Sequence, residues 1–290
     1  MANPKVTLAG LSDIGKKRSG NQDSLVLVET KKSPLSGSAL IAVADGMGGH
    51  AGGEVASSLA LDSFLEELQV IKKNTKKKEK VNISKALGKA VLQSNVAVRQ
   101  KAEQNHELMG MGTTLTAALI TDGEVIFANV GDSRGYIISN GDIRQITKDH
   151  SWVGEQVSAG LISEEEAEKH PQRNIITRAI GISENVDVDI FAETLNPGDM
   201  VVLCSDGLYP LVSNKEIADQ MQNKNLDQIC KKLVDLANER GGPDNITVAI
   251  ARIGGKPKSP DKTHTDKTVK VSSKASGRRS WIKKLFRIKK

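Results

Sequence analysis

The sequence predicts an α+β protein in which antiparallel sheets are covered by pairs of helices. Two patterns predict it. Strand-like runs are joined by the hairpin signals Asp122-Gly123 and Asn140-Gly141. Helix-like stretches come as sequential pairs, whereas a doubly wound parallel sheet needs regular single-helix crossovers.

The elements follow in order. Val6–Ala9, Leu25–Val28 and Leu40–Val43 are short apolar or β-branched runs, a strand signature. Glu54–Ile71 is helical: Val55, Leu59, Leu61, Phe64, Leu65 and Leu68 recur near helical spacing. A lysine-rich interruption, Lys72–Lys80, reads as a solvated loop or an anion contact, and a second helix runs from Ile83 to Gln104. Strands resume at Thr113–Ile120, Glu124–Val130 and Tyr136–Ile138. His150–Gly181 is a mixed excursion with an acidic helix at Ser163–Lys169, where Ser163 and Glu166 have capping-box spacing. Strands are expected at Val186–Phe191, Met200–Cys204 and Ile246–Ile253, with two helices between Asn214 and Glu239. No internal repeat is visible.

The composition bounds the function. With 290 residues, 38% of them apolar and 26% charged, the chain has room for one large domain. Its mean hydropathy is −0.32, in the range of soluble proteins. The longest strongly apolar run, Ala39–Ala44, is far short of the roughly 18 residues a membrane span needs. Met1–Val6 has no apolar core of a secretory signal, so a cytoplasmic protein is expected, monomeric by default. Cys204 and Cys230 make neither a disulfide framework nor a zinc site. Two Trp, two Tyr and four Phe argue against stacking platforms for nucleic acid, and no specific nucleic-acid contact is expected.

One motif recurs: an apolar strand that ends in, or begins just after, an aspartate. Leu40-Ile-Ala-Val-Ala-Asp45-Gly46 and Val201-Val-Leu-Cys-Ser-Asp206-Gly207 are two cases, and Phe127-Ala-Asn-Val-Gly131-Asp132 is a third. Asp23 and Asp244 sit just before the strands at Leu25 and Ile246. Any one Asp-Gly marks a turn. Five carboxylates at strand edges that share a rim repel one another unless a cation holds them. Oxygen ligands without His or Cys favour Mg²⁺ or Mn²⁺, and such a site suits two ions that activate water for in-line attack on phosphorus. Arg18 lies five residues before Asp23, and its guanidinium suits bidentate capture of phosphate oxygens.

These residues fall within a longer ordered set of motifs: Ser12-Asp-Ile-Gly-Lys-Lys-Arg-Ser-Gly-Asn-Gln-Asp23, Val43-Ala-Asp-Gly-Met-Gly-Gly-His50 and Gly110-Met-Gly-Thr-Thr114. Val130-Gly-Asp-Ser-Arg134, Asp149-His-Ser151 and Asn174-Ile-Ile-Thr-Arg-Ala-Ile-Gly181 come next, then Leu203-Cys-Ser-Asp-Gly-Leu208 and Gly242-Pro-Asp-Asn-Ile-Thr247. Over residues 4–254 the chain resembles the 2C-type (PPM) metal-dependent serine/threonine protein phosphatases in their compact bacterial form. The resemblance implies a four-layer αββα sandwich, two antiparallel sheets between helix pairs. It implies that Asp45 bridges two Mn²⁺ or Mg²⁺ ions, with the Gly46 carbonyl on the first, and that Asp206 and Asp244 hold the second. Asp23 would contribute through a bound water, Asp132 would help hold a weaker third ion, and Arg18 would bind the substrate phosphate. His150–Gly181 corresponds to a flap bordering the active site.

The expected reaction is hydrolysis of phosphoserine or phosphothreonine by a metal-bridging hydroxide, opposing a bacterial Ser/Thr kinase. Cys-based phosphatase chemistry is excluded, because the residues six positions after Cys204 and Cys230 are Pro210 and Leu236 instead of Arg. Animal relatives carry His after the bridging Asp-Gly as a proposed general acid, where this chain has Met47. His50 is the nearby candidate; water is the alternative proton source. His150 and His170 read as structural residues of the flap.

The tail is a different object. Residues 255–290 hold 13 Lys and Arg against two Asp, a balance of +11; the whole chain is +6, so the preceding 254 residues carry −5. The stretch 255–277 reads as a disordered basic linker and 278–290 as a basic amphipathic segment. In the latter, Trp281, Ile282, Leu285, Phe286 and Ile288 share a helical arc about 160° wide. Attachment to an anionic membrane surface, docking to a partner protein and an unordered tail are its three readings.

Overall fold

The computed structural model describes residues 5–35, 39–49, 51–75, 81–121, 123–255 and, for the backbone, 267–271. Two antiparallel sheets face one another. The first joins β1 (Val6–Asp13), β7 (Arg134–Ser139), β8 (Asp142–Gln145), β10 (Met200–Cys204) and β11 (Ile246–Ile253) in the order β1-β11-β10-β7-β8. The second holds β2 (Asp23–Val28), β3 (Ala39–Met47), β5 (Leu115–Ile120), β6 (Glu124–Val130), β9 (Val188–Thr194) and β12 (Lys267–Val271) in the order β12-β9-β6-β5-β3-β2. The short β4 (Gly112–Thr113) pairs with the end of β3.

Alternation along the strands explains the layers. In β3, Leu40, Ala42 and Ala44 pack with α1 (Gly52–Asn74) and α2 (Ile83–Gln104) on one face. Ile41 and Val43 point the other way, into the space between the sheets. In β10, Val201 and Leu203 fill that same space, while Val202 and Cys204 pack with α5 (Asn214–Gln220) and α6 (Leu226–Glu239). A strand covered on both faces is apolar at every position, which is why β3 and β10 read as unbroken apolar runs. Helix pair, sheet, sheet and helix pair make the expected αββα sandwich.

The α2 helix spans the expected Ile83–Gln104, whereas α1 runs past Ile71 through Lys72–Asn74, the start of the stretch read as an interruption between the helices. Asn140 (φ 54°) and Gly141 (φ 90°) form the tight β7–β8 turn with two left-handed residues. The acidic helix α4 (Glu164–Lys169) carries the expected capping box between Ser163 and Glu166, and α5 has a second between Ser213 and Glu216.

Four other expectations change. The run Thr113–Ile120 is split, because Thr114 turns aside to bond Asp45. The strand expected at Val186–Phe191 is β9, shifted toward Thr194. β8 and a seven-residue helix α3 (Trp152–Ser158) arise where no period is long enough to announce them. Finally, Lys267–Val271, inside the stretch read as a disordered linker, is a strand paired antiparallel with β9. Its alternating sequence is short for a signal, and an otherwise open sheet edge supplies the hydrogen-bond partners. Residues 278–290 lie outside the described residues.

Phe127 is fully buried between the sheets. Phe127→Ala is expected to destabilise the chain by about 3–5 kcal/mol, read as a lower urea midpoint at unchanged slope.

Candidate active site

The sandwich brings strand ends from both sheets to one rim. In the β2–β3 pair, Asp23 stands directly opposite Asp45. Asp132 follows the end of β6 by two residues. From the facing sheet, Asp206 follows β10 and Asp244 precedes β11, each by two residues. The loop after β1 carries Arg18.

Neighbouring polar groups fix these carboxylates. The Asp45 N–H donates to Thr114 Oγ1 at 2.9 Å, and the Asp45 carbonyl accepts from Thr114 N at 2.8 Å and from Thr113 Oγ1 at 2.8 Å. Ser205 Oγ crosses between the sheets, donating to Asp23 Oδ2 at 2.7 Å while accepting from Thr247 N at 3.0 Å. Asn245 staples the Arg18 loop: its Oδ1 accepts from Gln22 N at 2.8 Å, and its Nδ2 donates to the Ile14 and Gly20 carbonyls. Gly46 lies so close to Gly53 that an added Cβ would sit 2.0 Å from the Gly53 oxygen, so only glycine fits.

The electrostatics of this rim are severe. Burial pushes the Asp23 carboxyl up to about 7, against hydrogen bonds from Thr247 and Ser205 and aided by repulsion from Asp206 and Asp244. Asp45 and Asp132 are raised well above the usual range, first by burial and then by neighbouring carboxylates. Asp206 is also raised, by burial and by Asp244, against a hydrogen bond from Asp45 and the charge of Arg18. Four acidic groups are thus driven toward the protonated form by one another and by the loss of water.

Three oxygens of this cluster, Asp23 Oδ1, Asp132 Oδ1 and Asp206 Oδ1, are buried with no hydrogen-bond partner. Acceptors orphaned together in an acidic cluster fit an arriving hard cation better than any donor the fold offers. The fit is not a closed cage. Among the described residues, no three carboxylate, imidazole or thiolate groups converge tightly enough to hold an ion unaided. Asp244, expected to hold an ion with Asp206, stands near enough to raise the Asp206 carboxyl and is also bonded to Arg18 Nη2 at 2.7 Å. One or two carboxylates per ion, completed by carbonyl and water oxygens, is the habit of Mg²⁺-like cations.

The protein phosphatase 2C family model matches residues 12–247, a span that includes every one of these carboxylates. The chain belongs to that family. The serine/threonine phosphatase stp of Listeria welshimeri is 39% identical over 240 residues, covering 82% of this chain and 92% of that protein. The solved S. agalactiae serine/threonine phosphatase superposes with a TM-score of 0.77 at 39% identity, over 86% of this chain and 99% of that one. The catalytic domain of the serine/threonine phosphatase PstP, solved in complex with two manganese ions, gives a TM-score of 0.73 at 35% identity, over 86% and 99%.

The remaining residues of this phosphatase 2C chain sort by geometry. Arg18 is half exposed at the rim, where a phosphate can reach it. Arg134 is not free for that role: it makes a bidentate pair with Asp149 and lies over the Tyr209 ring at 3.6 Å. Both cysteines are buried and their thiols pushed up to about 12 by desolvation, which leaves no thiolate nucleophile at neutral pH. His170 stacks on Trp152 at 4.8 Å, in the flap. His50 lies outside the described residues. Met47 lines a groove of about 360 Å³ with Ile176, Arg178, Ile182 and Asp187, between the end of β3 and the flap. Sequence reasoning missed Thr114, Ser205 and Asn245, although the last two adjoin Asp206 and Asp244.

A carboxyl kept protonated by the fold but free to ionise in the unfolded chain favours folding fully below the unfolded value. That advantage fades as pH rises through the folded value, which for Asp23 means the window between 3.8 and about 7. With metals chelated, the melting temperature is therefore expected to fall as pH is raised across that window. Asp45→Asn is expected to flatten the fall, and Mn²⁺ to reverse it, in thermal scans at fixed ionic strength.

Proposed function

We propose that this chain hydrolyses phosphoserine and phosphothreonine in proteins, in opposition to a Ser/Thr kinase, as a metal-dependent phosphatase. One observation carries the reading: five acidic side chains from two sheets meet at one rim beside Arg18, with three of their oxygens buried and unpartnered.

Asp45, the Gly46 carbonyl, Asp206 and Asp244 would hold two ions, Mn²⁺ or Mg²⁺, with Asp23 acting through water and Asp132 serving a weaker third ion. Bound divalent ions supply a water acidic enough to attack phosphorus near neutral pH and offset charge on the phosphoryl oxygens. The protein's own residues do the rest. Arg18 captures and orients the phosphate through its planar donor fork, with Asp244 holding it ready at the rim. Thr114, Ser205 and Asn245 keep the carboxylates and the Arg18 loop from drifting, so orientation is set before substrate arrives. Met47 has no transferable proton, so the leaving alkoxide takes its proton from His50 or from water.

A second reading is a silent member of the family that binds phosphoproteins without cleaving them. The intact set of Asp45, Asp206 and Asp244 favours the enzyme. Hydrolysis of p-nitrophenyl phosphate and of a phosphothreonine peptide with Mn²⁺ is the deciding assay. Asp45→Ala is expected to lower kcat at least about 100-fold, since a metal's charge stabilisation is worth several kcal/mol. Arg18→Ala removes a charge-assisted bond worth about 1.5–3 kcal/mol, so kcat/KM falls about 10- to 100-fold. An Asp45→Ala protein as active as wild type would refute the reading.

We also propose that the basic segment 278–290 contacts an anionic membrane surface. Among the described residues no helix is long and apolar enough to cross a membrane. β12 ends with Val271 opposite Val188, at the same end of its sheet as Asp23 and Asp45. Each basic residue near such a surface contributes about 1 kcal/mol. The full chain is expected to co-sediment with phosphatidylserine vesicles in low salt, and a chain ending at Gly277 to stay in the supernatant.

A further inference from the structure

Behind the acidic rim, one buried imidazole is gripped on both sides. His150 is 5% exposed and forms a reciprocal pair with Gly131, the residue before Asp132. Its backbone N–H donates to the Gly131 carbonyl at 3.0 Å, and the Gly131 N–H donates to His150 Nδ1 at 3.0 Å. Because Nδ1 is the acceptor, Nε2 carries the proton and donates to Asp189 Oδ2 at 3.3 Å. Asp189, itself buried, accepts from Arg178 Nη1 at 3.1 Å on its other oxygen, and the same guanidinium nitrogen bonds the Asp187 carbonyl. Arg178 also lies 3.0 Å from Nε2, a contact of two donors held together by the carboxylate they share.

Gly131 has little room to move. Its φ is +108°, and an added Cβ would sit 2.5 Å from the Thr114 side chain that holds Asp45. His150 is also the root of the flap: its carbonyl accepts from Thr177 N at 2.9 Å, and Ser151 bridges Ile176. Arg178 and Asp187, at the far end of the network, line the groove beside Met47.

We propose that His150 is a positioning residue that aims the Gly131–Asp132 turn at the cation cluster and ties it, through Asp189 and Arg178, to the flap and its groove. The proposal deepens the phosphatase reading and rests on Asp132 helping to hold a divalent ion. A space-filling imidazole would instead affect stability alone. The acceptor on Nδ1 and the donor on Nε2 separate the two ideas, because Asn can replace the first and Gln only the second.

The test uses the full chain. For His150→Gln, the Mn²⁺ concentration giving half-maximal p-nitrophenyl phosphate hydrolysis is expected to rise about 10-fold or more, with a smaller change in kcat at saturating Mn²⁺. Calorimetric Mn²⁺ binding should weaken in parallel. His150→Asn, which keeps an oxygen facing Gly131, is expected to restore most of that loss. Asp189→Asn leaves the imidazole in place and loosens its orientation, so it should move the same quantity by a smaller factor. Unchanged Mn²⁺ dependence in His150→Gln overturns the proposal. So does equal impairment of the Gln and Asn variants that tracks only a lower melting temperature. Should Asp45→Ala retain full activity, the phosphatase reading fails, whereas the calorimetric shift still reports on His150.

Discussion

Like-charged carboxylates packed into a rim with little water repel one another, and the chain tolerates five of them there only under constraint. Burial raises the proton affinities of Asp23, Asp45, Asp132 and Asp206, Arg18 offsets part of the charge, and Ser205, Thr114 and Asn245 supply hydrogen bonds. Three oxygens still find no partner. The surrounding architecture can be understood as the scaffold for that uncomfortable arrangement: a fold that spends stability to keep acids together is organised for a cation.

The sandwich meets this demand through its two-sheet construction. A single sheet places Asp23 opposite Asp45 but brings no carboxylate in from above. The second sheet adds Asp206 and Asp244, and the core of Ile41, Val43, Phe127, Val201 and Leu203 holds the two edges in register. Ser205 bridging to Asp23 is the local expression of the same closure. Strands thus carry Asp23 and Asp45 directly, and the other three acids sit two residues beyond a strand end, where the strand still fixes their position.

Much of this was legible beforehand. Apolar runs ending in Asp, together with Asp-Gly and Asn-Gly turns, placed the strands and pointed to the acidic rim. Periodicity placed α2 to the residue and the body of α1, which extends beyond it at both ends. What stayed hidden shares a cause: its signal is either too short or not local. β8 and α3 span four and seven residues, less than a pattern needs, and β12 exists because β9 has an edge to offer. Thr114 looked like part of a strand because nothing in its neighbourhood marks it as the partner of Asp45, 69 residues away.

The amino-acid sequence by itself determined which residues are apolar on both faces, where the chain must turn, and that its aspartates recur at strand ends, because each of these depends on neighbours a few positions apart. Only the tertiary structure decided which aspartates meet, that Asp244 is held by Arg18, and that His150 faces both Gly131 and Asp189. Those pairings join segments separated by up to 226 residues, and their energies exist only once hydrophobic burial has brought the two sheets together.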